Sequence, residues 1–235
     1  FYDQRREVVD STYISPIMKN AIVAIEDRRF YEHEGVDWKG VVRAVITNAT
    51  TDDVQGASTL TQQYIKNYTW LVTSEDEEEQ ASAIEQSYAR KIIEIATAED
   101  ISEVLSKDEI LTRYLNLVSF GRNSFGVQDA ARTFFGTNAH DLTISQAALL
   151  AGLVQSPSYL DPYENPEGAL ERRNIVIQTM SDQGYITPEE ALAAQNEPLG
   201  VLETPSGLSK GCASSGNRGF FCDQALKDLE AQGIT

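Results

Sequence analysis

Hydrophobic positions recur at three- and four-residue intervals through most of this chain of 235 residues, a spacing typical of amphipathic helices. The alternation of apolar and polar side chains that marks a half-buried strand is scarce. Residues that commonly begin helices stand before many of the periodic segments: Ser15-Pro16, Asp37, Gly56-Ala57-Ser58, Ser106, Thr143, Asn165-Pro166 and Thr187-Pro188. The pattern predicts a mainly α fold.

The same spacing predicts how far several helices extend. The first runs from Ile17 to about Tyr31, and another from Thr59 to about Trp70. A longer helical pattern covers Ala81 to Leu105, and a later helix ends near Gly184.

Two stretches without helical periodicity mark boundaries. Residues 73–80 are acidic and contain no apolar side chain, which predicts a solvated loop. Residues 196–219 are rich in Gly, Ser and Pro and indicate a linker. We therefore expect one domain over residues 1–195 and a linker region over residues 196–235.

The charge is strongly acidic, with 19 Lys and Arg against 36 Asp and Glu and a net charge of −17. Phosphates of DNA or RNA would be repelled by most of such a surface, so we expect no nucleic-acid partner. Residues 1–70 are nearly balanced, with 8 basic and 10 acidic side chains. An anionic substrate therefore stays compatible with this part of the chain.

A carboxylate near the end of the first predicted helix is a candidate for acid–base chemistry. Glu26, Phe30 and His33 stand at i, i+4 and i+7, so a continuous helix would place them on one face. A carboxyl group beside apolar side chains has a raised pKa, which suits a general base. The alternative is a surface Glu26 paired with Arg28 or Arg29.

Polar groups crowd the start of the helix that follows Gly56. A helix N-terminus behind a glycine turn can bind an anion, Gln63 and Asn67 share one helical face, and Lys66 adds a positive charge. The Gly-Lys-Ser/Thr ending of a nucleotide-binding loop is missing, which disfavours an NTPase. A plain capped helix is the alternative.

Arg90 and Glu94 stand at i and i+4, a spacing that also suits an ordinary helix ion pair. Together with Glu26, however, Glu94 makes a pair of carboxylates, and Lys66, Arg90 and Lys91 make a cationic cluster. This combination suits transfer of a sugar from a phosphate leaving group, because one carboxylate handles the proton while cations stabilise the departing charge.

Other chemistries find little support. His33 and His140 are far apart in sequence, so we expect no zinc site. Cys212 and Cys222 form either a small disulfide loop or two free thiols. Neither Ser-x-x-Lys nor Lys-Thr-Gly occurs, so the chain lacks the serine acyl-transfer site that β-lactams inhibit.

Five segments, in order, resemble the motifs of one enzyme family. They are Glu26-Asp27-Arg28-Arg29-Phe30-Tyr31-Glu32-His33-Glu34-Gly35, Gly56-Ala57-Ser58-Thr59-Leu60-Thr61-Gln62-Gln63, Arg90-Lys91-Ile92-Ile93-Glu94, Ile110-Leu111-Thr112-Arg113-Tyr114-Leu115-Asn116 followed by Gly121 and Gly126-Val127-Gln128-Asp129-Ala130-Ala131, and Leu149-Leu150-Ala151-Gly152-Leu153 followed by Pro157 and Arg172-Arg173. The family is the peptidoglycan glycosyltransferases, glycosyltransferase family 51, found in class A penicillin-binding proteins and monofunctional relatives. The tail around Cys212 and Cys222 is similar to the inter-domain linker of actinobacterial class A members.

The resemblance implies a lysozyme-like α fold with a larger head lobe and a smaller, membrane-facing jaw lobe. The apolar stretch from Val36 to Ile46 is the candidate for the jaw, and a helix buried in the core is the alternative. The resemblance also implies an extracytoplasmic location, which favours a disulfide between Cys212 and Cys222. A transmembrane helix before Phe1 and a transpeptidase domain after Thr235 are expected.

The resemblance further implies polymerisation of lipid II into a β-1,4-linked glycan with inversion at the donor carbon and release of undecaprenyl pyrophosphate. Glu26 then acts as general base, and Glu94 positions the donor. The implied substrate- and pyrophosphate-binding residues are Asp27, Phe30, Ser58, Thr59, Gln63, Lys66, Asn67, Arg90 and Lys91. His33 and Gly56 are structural residues of the motifs.

The implied partners are lipid II, the growing glycan strand, the outer leaflet of the cytoplasmic membrane and other cell-wall synthesis proteins, and the inhibitor moenomycin is an expected ligand. No cofactor is required, although a divalent cation (Mg or Mn) can assist. Two positions depart from the family pattern: Thr112 replaces a common Glu, and Thr137 a common Lys. A glycoside hydrolase or lytic transglycosylase and a non-catalytic wall-binding module are the rival functions.

Overall fold

The computed structural model describes residues 5–50, 58–73 and 88–206, and this part of the chain is mainly α-helical, as predicted. The helices are α1 (Pro16–Glu26), α2 (Trp38–Thr50), α3 (Leu60–Tyr68), α4 (Tyr88–Val104), α5 (Lys107–Leu115), α6 (Val127–Phe135), α7 (Ile144–Leu153), α8 (Pro166–Asp182) and α9 (Pro188–Gln195). A π-helical turn, Thr69–Thr73, continues α3, and 3-10 turns lie at Ser11–Tyr13 and Ala139–Asp141.

Side chains cap these helices where the sequence predicts them to. The hydroxyls of Ser106, Thr143 and Thr187 each accept the backbone N–H three residues on, and the Glu or Gln side chain at that position accepts the N–H of the capping residue. The Asp37 carboxylate accepts the N–H of Gly40 at 2.8 Å. These starts depend on neighbours in sequence, which is why the pattern alone reveals them.

The first helix ends earlier than predicted. α1 stops at Glu26 and not near Tyr31, because the Asp27 carboxylate accepts the backbone N–H of Leu60 at 3.1 Å and contacts His33 Nε2 at 2.9 Å. The chain therefore turns away from the helix axis after Glu26. The predicted helical face that joins Glu26 to His33 is wrong.

The core is centred on α7, whose residues from Ala147 to Leu153 are all buried and which packs against α1 and α8. Its many small side chains let the neighbouring helices approach closely. A Cβ at Gly152 would lie 2.9 Å from the Cγ atom of Arg172, so the glycine makes room for that side chain.

The buried guanidinium of Arg173 ties α8 to the segment that follows α9. Arg173 donates to the carbonyls of Gln195, Glu197 and Pro198 and to the hydroxyl of Ser145. Further along, the backbone N–H groups of Leu202 and Ser206 donate to the carbonyls of Phe134 and Thr133, so the first part of the predicted linker region is bonded to the domain.

A small sheet stands beside the helices. β1 (Arg5–Arg6) runs parallel to β3 (Ser124–Phe125), and β2 (Ser119–Gly121) pairs antiparallel with β3. Arg122 and Asn123 form the turn of this hairpin with φ angles of 50° and 59°, in the left-handed region. The turn carries both side chains toward the cavity described below.

Helix α2 covers most of the stretch proposed as a jaw. Val36, just before it, is buried, whereas Trp38 and Val42 are 56% and 59% exposed. A helix buried in the core on all sides does not fit this exposure. Within the described ranges, no helix is both long and apolar enough to cross a membrane.

Several predictions fall outside the described residues. They concern the turn residue Gly56, most of the acidic run 73–80, the predicted helical residues 81–87, and the two cysteines Cys212 and Cys222.

Candidate active site

An open cavity of about 680 Å³ contains the first candidate carboxylate, Glu26, at the end of α1. It is bounded by α3, by α4, by the β2–β3 hairpin and by the loop after α7. The polar residues of its lining are Glu26, Ser58, Gln62, Gln63, Lys66, Asn67, Glu94, Ser119, Arg122, Asn123, Gln155 and Ser158. The structure thus brings together residues from the first, second and third motifs, although they are up to 68 positions apart (26 to 94).

The Glu26 carboxylate accepts a hydrogen bond from a side chain of α3, which in turn is bonded to a side chain of α5. Gln63 Nε2 donates to Glu26 Oε2 at 2.9 Å, and the hydroxyl of Tyr114 donates to Gln63 Oε1 at 2.9 Å. Burial raises the pKa of Glu26, the Gln63 bond and the positive charge of Arg172 lower it, and Asp27 raises it. The net direction is upward, toward the range a general base needs.

The second carboxylate, Glu94, is buried on α4 and pairs with a lysine. Its Oε2 atom lies 3.3 Å from Lys91 Nζ, which also donates to Ser58 Oγ at 2.7 Å and to Gln62 Oε1 at 3.1 Å. Lys91 therefore bridges α4 to the start of α3. Glu94 therefore lines the cavity and also holds this cation.

Two further predicted residues, Lys66 and Asn67, line the cavity from α3. Asn67 Nδ2 donates to the backbone carbonyl of Gln63 at 2.9 Å, which fixes the side chain against α3. Arg90 lies in the first turn of α4, one residue before Lys91, and its side chain is outside the described part of the structure.

Four residues of the predicted set serve the scaffold around Glu26. Thr59 caps α3 and donates to the carbonyl of Gly35 at 2.6 Å. Asp27 and His33 bond each other as described above, and Phe30 is fully buried. Among the described residues, none of these four lines the large cavity, although Asp27 and Thr59 border a smaller cleft of about 170 Å³ that also reaches Glu26.

The structure adds residues that sequence reasoning missed. Arg122 reaches the cavity from the hairpin turn and pairs with Asp161 at 2.5 Å and Glu164 at 2.9 Å. Tyr114 and Arg172 belong to segments already matched to the family, yet nothing in their spacing connects them to Glu26. Their roles follow only from packing.

In residues 5–50, 58–73 and 88–206, no group of three or more His, Cys, Asp or Glu side chains is placed to hold a metal ion.

Comparison with known proteins identifies the family of this chain. A sequence profile described as Transglycosylase matches residues 1–181. Penicillin-binding protein 1A of Streptococcus oralis is 41% identical over 83% of this chain and 30% of its own length. The protein of the same name from Streptococcus pneumoniae is 36% identical over 96% of this chain and 29% of its own length, and that from Aquifex aeolicus is 40% identical over 84% and 26%.

This chain therefore spans less than a third of these relatives. Among solved structures, Penicillin-Binding Protein 1A from Haemophilus influenzae aligns with 92% of this chain and 21% of its own, at a TM-score of 0.49 and 23% identity. The family assignment depends on the sequence matches. We conclude that the chain belongs to the transglycosylase family, as a peptidoglycan glycosyltransferase domain of the class A penicillin-binding protein type.

Proposed function

We propose that this domain polymerises lipid II and that Glu26 is the general base of the reaction. The observation that carries the proposal is the position of the Glu26 carboxylate. It lines a cavity shared with Glu94 and Lys66, accepts a hydrogen bond from Gln63, and has a pKa raised by burial. A carboxylate with a raised pKa binds a proton more readily, which suits a general base.

In the proposed reaction, Glu26 takes the proton from the 4-hydroxyl of the acceptor GlcNAc. The oxygen attacks C1 of the donor MurNAc, and the bond from C1 to the lipid pyrophosphate breaks on the opposite face. The pyrophosphate leaves with the bonding electrons. A single displacement of this kind converts the α-linked donor into a β-1,4 linkage, so the configuration inverts, and no covalent enzyme intermediate is needed.

Cations in the cavity would stabilise the leaving pyrophosphate. Lys66 lines the cavity directly, and Lys91 stands at its edge between Ser58 and Glu94. Positive charges fixed before the reaction stabilise charge that develops in the transition state, because no reorganisation is needed when it appears. Arg90 joins them in the proposal through its position in α4.

The remaining polar side chains of the cavity would form hydrogen bonds with sugar and phosphate oxygens of the substrate. Asn67, Ser58 and Gln63 reach the cavity, whereas the buried Asp27 and Thr59 support the wall behind it. In the part of the chain that the structure describes, no three His, Cys, Asp or Glu side chains are grouped so that they could bind a divalent cation. We assign no step to one.

The substrate's lipid requires the domain to work at a membrane surface, at the outer face of the cytoplasmic membrane. Helix α2 is the proposed jaw, because its exposed Trp38 and Val42 can enter the lipid interface. The proposed domain covers residues 1–195, with residues 196–235 leading toward a transpeptidase domain.

Replacing Glu26 with Gln tests the assignment. Glu26→Gln keeps the shape and can still accept the Gln63 bond, but it cannot take a proton. We expect lipid II polymerisation to fall by about 100-fold or more. Glu32→Gln, at an exposed glutamate nearby, is the matched control.

Near-normal polymerisation by Glu26→Gln would refute the base assignment. Incubation of the wild type with finished glycan strands is the complementary assay. Shortening of those strands without growth from lipid II would indicate a hydrolytic or lytic enzyme.

A further inference from the structure

Tyr114 lies behind the Gln63–Glu26 pair and has no contact with the cavity itself. It belongs to α5 and is 0% exposed. Its hydroxyl group lies 2.9 Å from Gln63 Oε1, and Gln63 Nε2 lies 2.9 Å from Glu26 Oε2. The three side chains form one line of hydrogen bonds that runs from the core to the proposed base.

The direction of each bond in this line follows from the chemistry of its ends. Burial and the negative charge of Glu26 raise the pKa of Tyr114 well above its ordinary value, so the hydroxyl keeps its proton. Within the described residues, Gln63 Oε1 is the acceptor for that proton. With its oxygen occupied, the Gln63 amide presents its N–H group to Glu26.

The reversed amide is unfavourable for two reasons. It would place Gln63 Oε1 against the ionised Glu26 carboxylate, where two oxygen acceptors repel each other. It would also require the buried hydroxyl to accept the amide N–H and leave its own proton without an acceptor. Tyr114 therefore decides which end of the Gln63 amide faces the base.

We propose that Tyr114 is a positioning residue for the glycosyl transfer, acting through Gln63 to keep Glu26 ionised and correctly oriented. This inference rests on the proposed role of Glu26 as general base. Tyr114 needs no contact with substrate to have this effect, because it acts on the orientation of one amide.

Other charged groups act on Glu26 or line its cavity, and removal of the tyrosine hydroxyl replaces none of them. These groups are Asp27 at the end of α1, Lys66 on α3, Glu94 on α4, Arg122 in the turn between β2 and β3, and Arg172 on α8. Any change in the titration of Glu26 then reports on the hydrogen-bonded line.

The variant Tyr114→Phe removes the hydroxyl and keeps the ring. We expect kcat for lipid II polymerisation to fall about tenfold, with KM nearly unchanged. The acid limb of the pH profile should move up by about one pH unit, because a carboxylate that loses a hydrogen-bond donor is protonated more readily. A merely structural loss would lower activity at all pH values alike.

Gln63→Leu provides the second arm of the test and serves in place of Tyr114→Phe if that variant does not fold, as judged by its Tm. It should shift the acid limb in the same direction. The double variant should be no worse than Gln63→Leu alone, because Tyr114 acts only through Gln63. Tyr64→Phe is the matched control: Tyr64 is buried on the same helix as Gln63 but borders a different groove.

The outcomes separate this inference from the proposed function. If Glu26→Gln retains activity, the base assignment fails. If Glu26→Gln is inactive while folded Tyr114→Phe keeps the wild-type pH profile, the positioning role of Tyr114 fails alone; where Tyr114→Phe does not fold, an unshifted profile of Gln63→Leu has the same meaning. Additive losses in the double variant would also overturn it.

Discussion

The carboxylate of Asp27 contacts the imidazole of His33, with 2.9 Å between Oδ2 and Nε2. The same oxygen accepts the backbone N–H of Leu60, the first residue of α3, at 3.1 Å. One buried side chain thus joins the end of α1, the loop after it and the start of α3. Since Glu26 precedes Asp27 and Gln63 lies in the first turn of α3, this junction sets the distance between the proposed base and its hydrogen-bond donor.

Removing the carboxylate should loosen that junction. Asp27→Ala leaves the N–H of Leu60 and the imidazole of His33 without this acceptor in a buried setting. We expect the free energy of unfolding to fall by about 2–4 kcal/mol, measured by urea denaturation. His33→Gln, which removes one partner and leaves the Leu60 bond, should cost about 1 kcal/mol. Equal losses for the two variants would contradict the assignment of Asp27 as the common acceptor.

Burial of the Glu26 charge should appear in stability as a function of pH. Its pKa in the folded state is raised mainly by burial, so its contribution to stability is largest below the ordinary pKa and is lost as the pH rises through the folded value. Glu26→Gln should therefore have a higher Tm than the wild type at pH 7–8. The difference should shrink as the pH falls toward about 4.

Glu109 is the matched control, because its pKa is shifted the opposite way. Hydrogen bonds from the backbone and side chain of Ser106 lower it. Its contribution is present above the ordinary pKa and is lost as the pH falls, so Glu109→Gln should be less stable than the wild type near neutral pH. Two Tm–pH curves that diverge from the wild type in the same direction would contradict the prediction.

A glycine of the first motif holds the loop after α1 against α4. Gly35 has a φ of +81°, and a Cβ there would overlap the backbone carbonyl of Ala98. Gly184 has a similar φ of +75°, but a Cβ would meet nothing within 4 Å. The pair separates backbone strain from steric overlap.

Gly184→Ala should lower the free energy of unfolding by about 1–2 kcal/mol, because alanine is strained in the left-handed backbone conformation. Gly35→Ala should lower the free energy of unfolding by about 1–3 kcal/mol more than Gly184→Ala does, because α4 must move away from the loop. Since α4 carries Glu94 and Lys91, Gly35→Ala should also reduce lipid II polymerisation, while Gly184→Ala leaves it unchanged. Urea denaturation and the polymerisation assay measure both effects, and equal losses of stability would exclude the overlap.

Much of the local structure could be predicted from the sequence. The capped starts at Ser106, Thr143 and Thr187 are confirmed, because each depends on bonds between residues three positions apart. The mainly α fold and the membership of the family are confirmed as well. The sequence also identified Glu26, Glu94 and Lys66, which share the cavity.

The end of α1 could not be predicted, because the apolar pattern continues past Glu26. What stops the helix is a bond from Asp27 to the N–H of Leu60, which lies 33 positions away in sequence. Periodicity describes neighbours on one helix and contains no information on such a partner. The contacts of Thr59 with Gly35, and of Asp27 with His33 and Leu60, likewise join positions that the periodicity does not connect.

The sequence by itself determined the helices, the family and the side chains available for chemistry, since these depend on local bonding and on motif order. Only the tertiary structure decided which of them act together. Tyr114 donates to Gln63 across 51 positions, and Gln63 donates to Glu26 across 37. These bonds exist because α1, α3 and α5 pack together, and the packing of distant helices sets both the burial and the pKa of the proposed base.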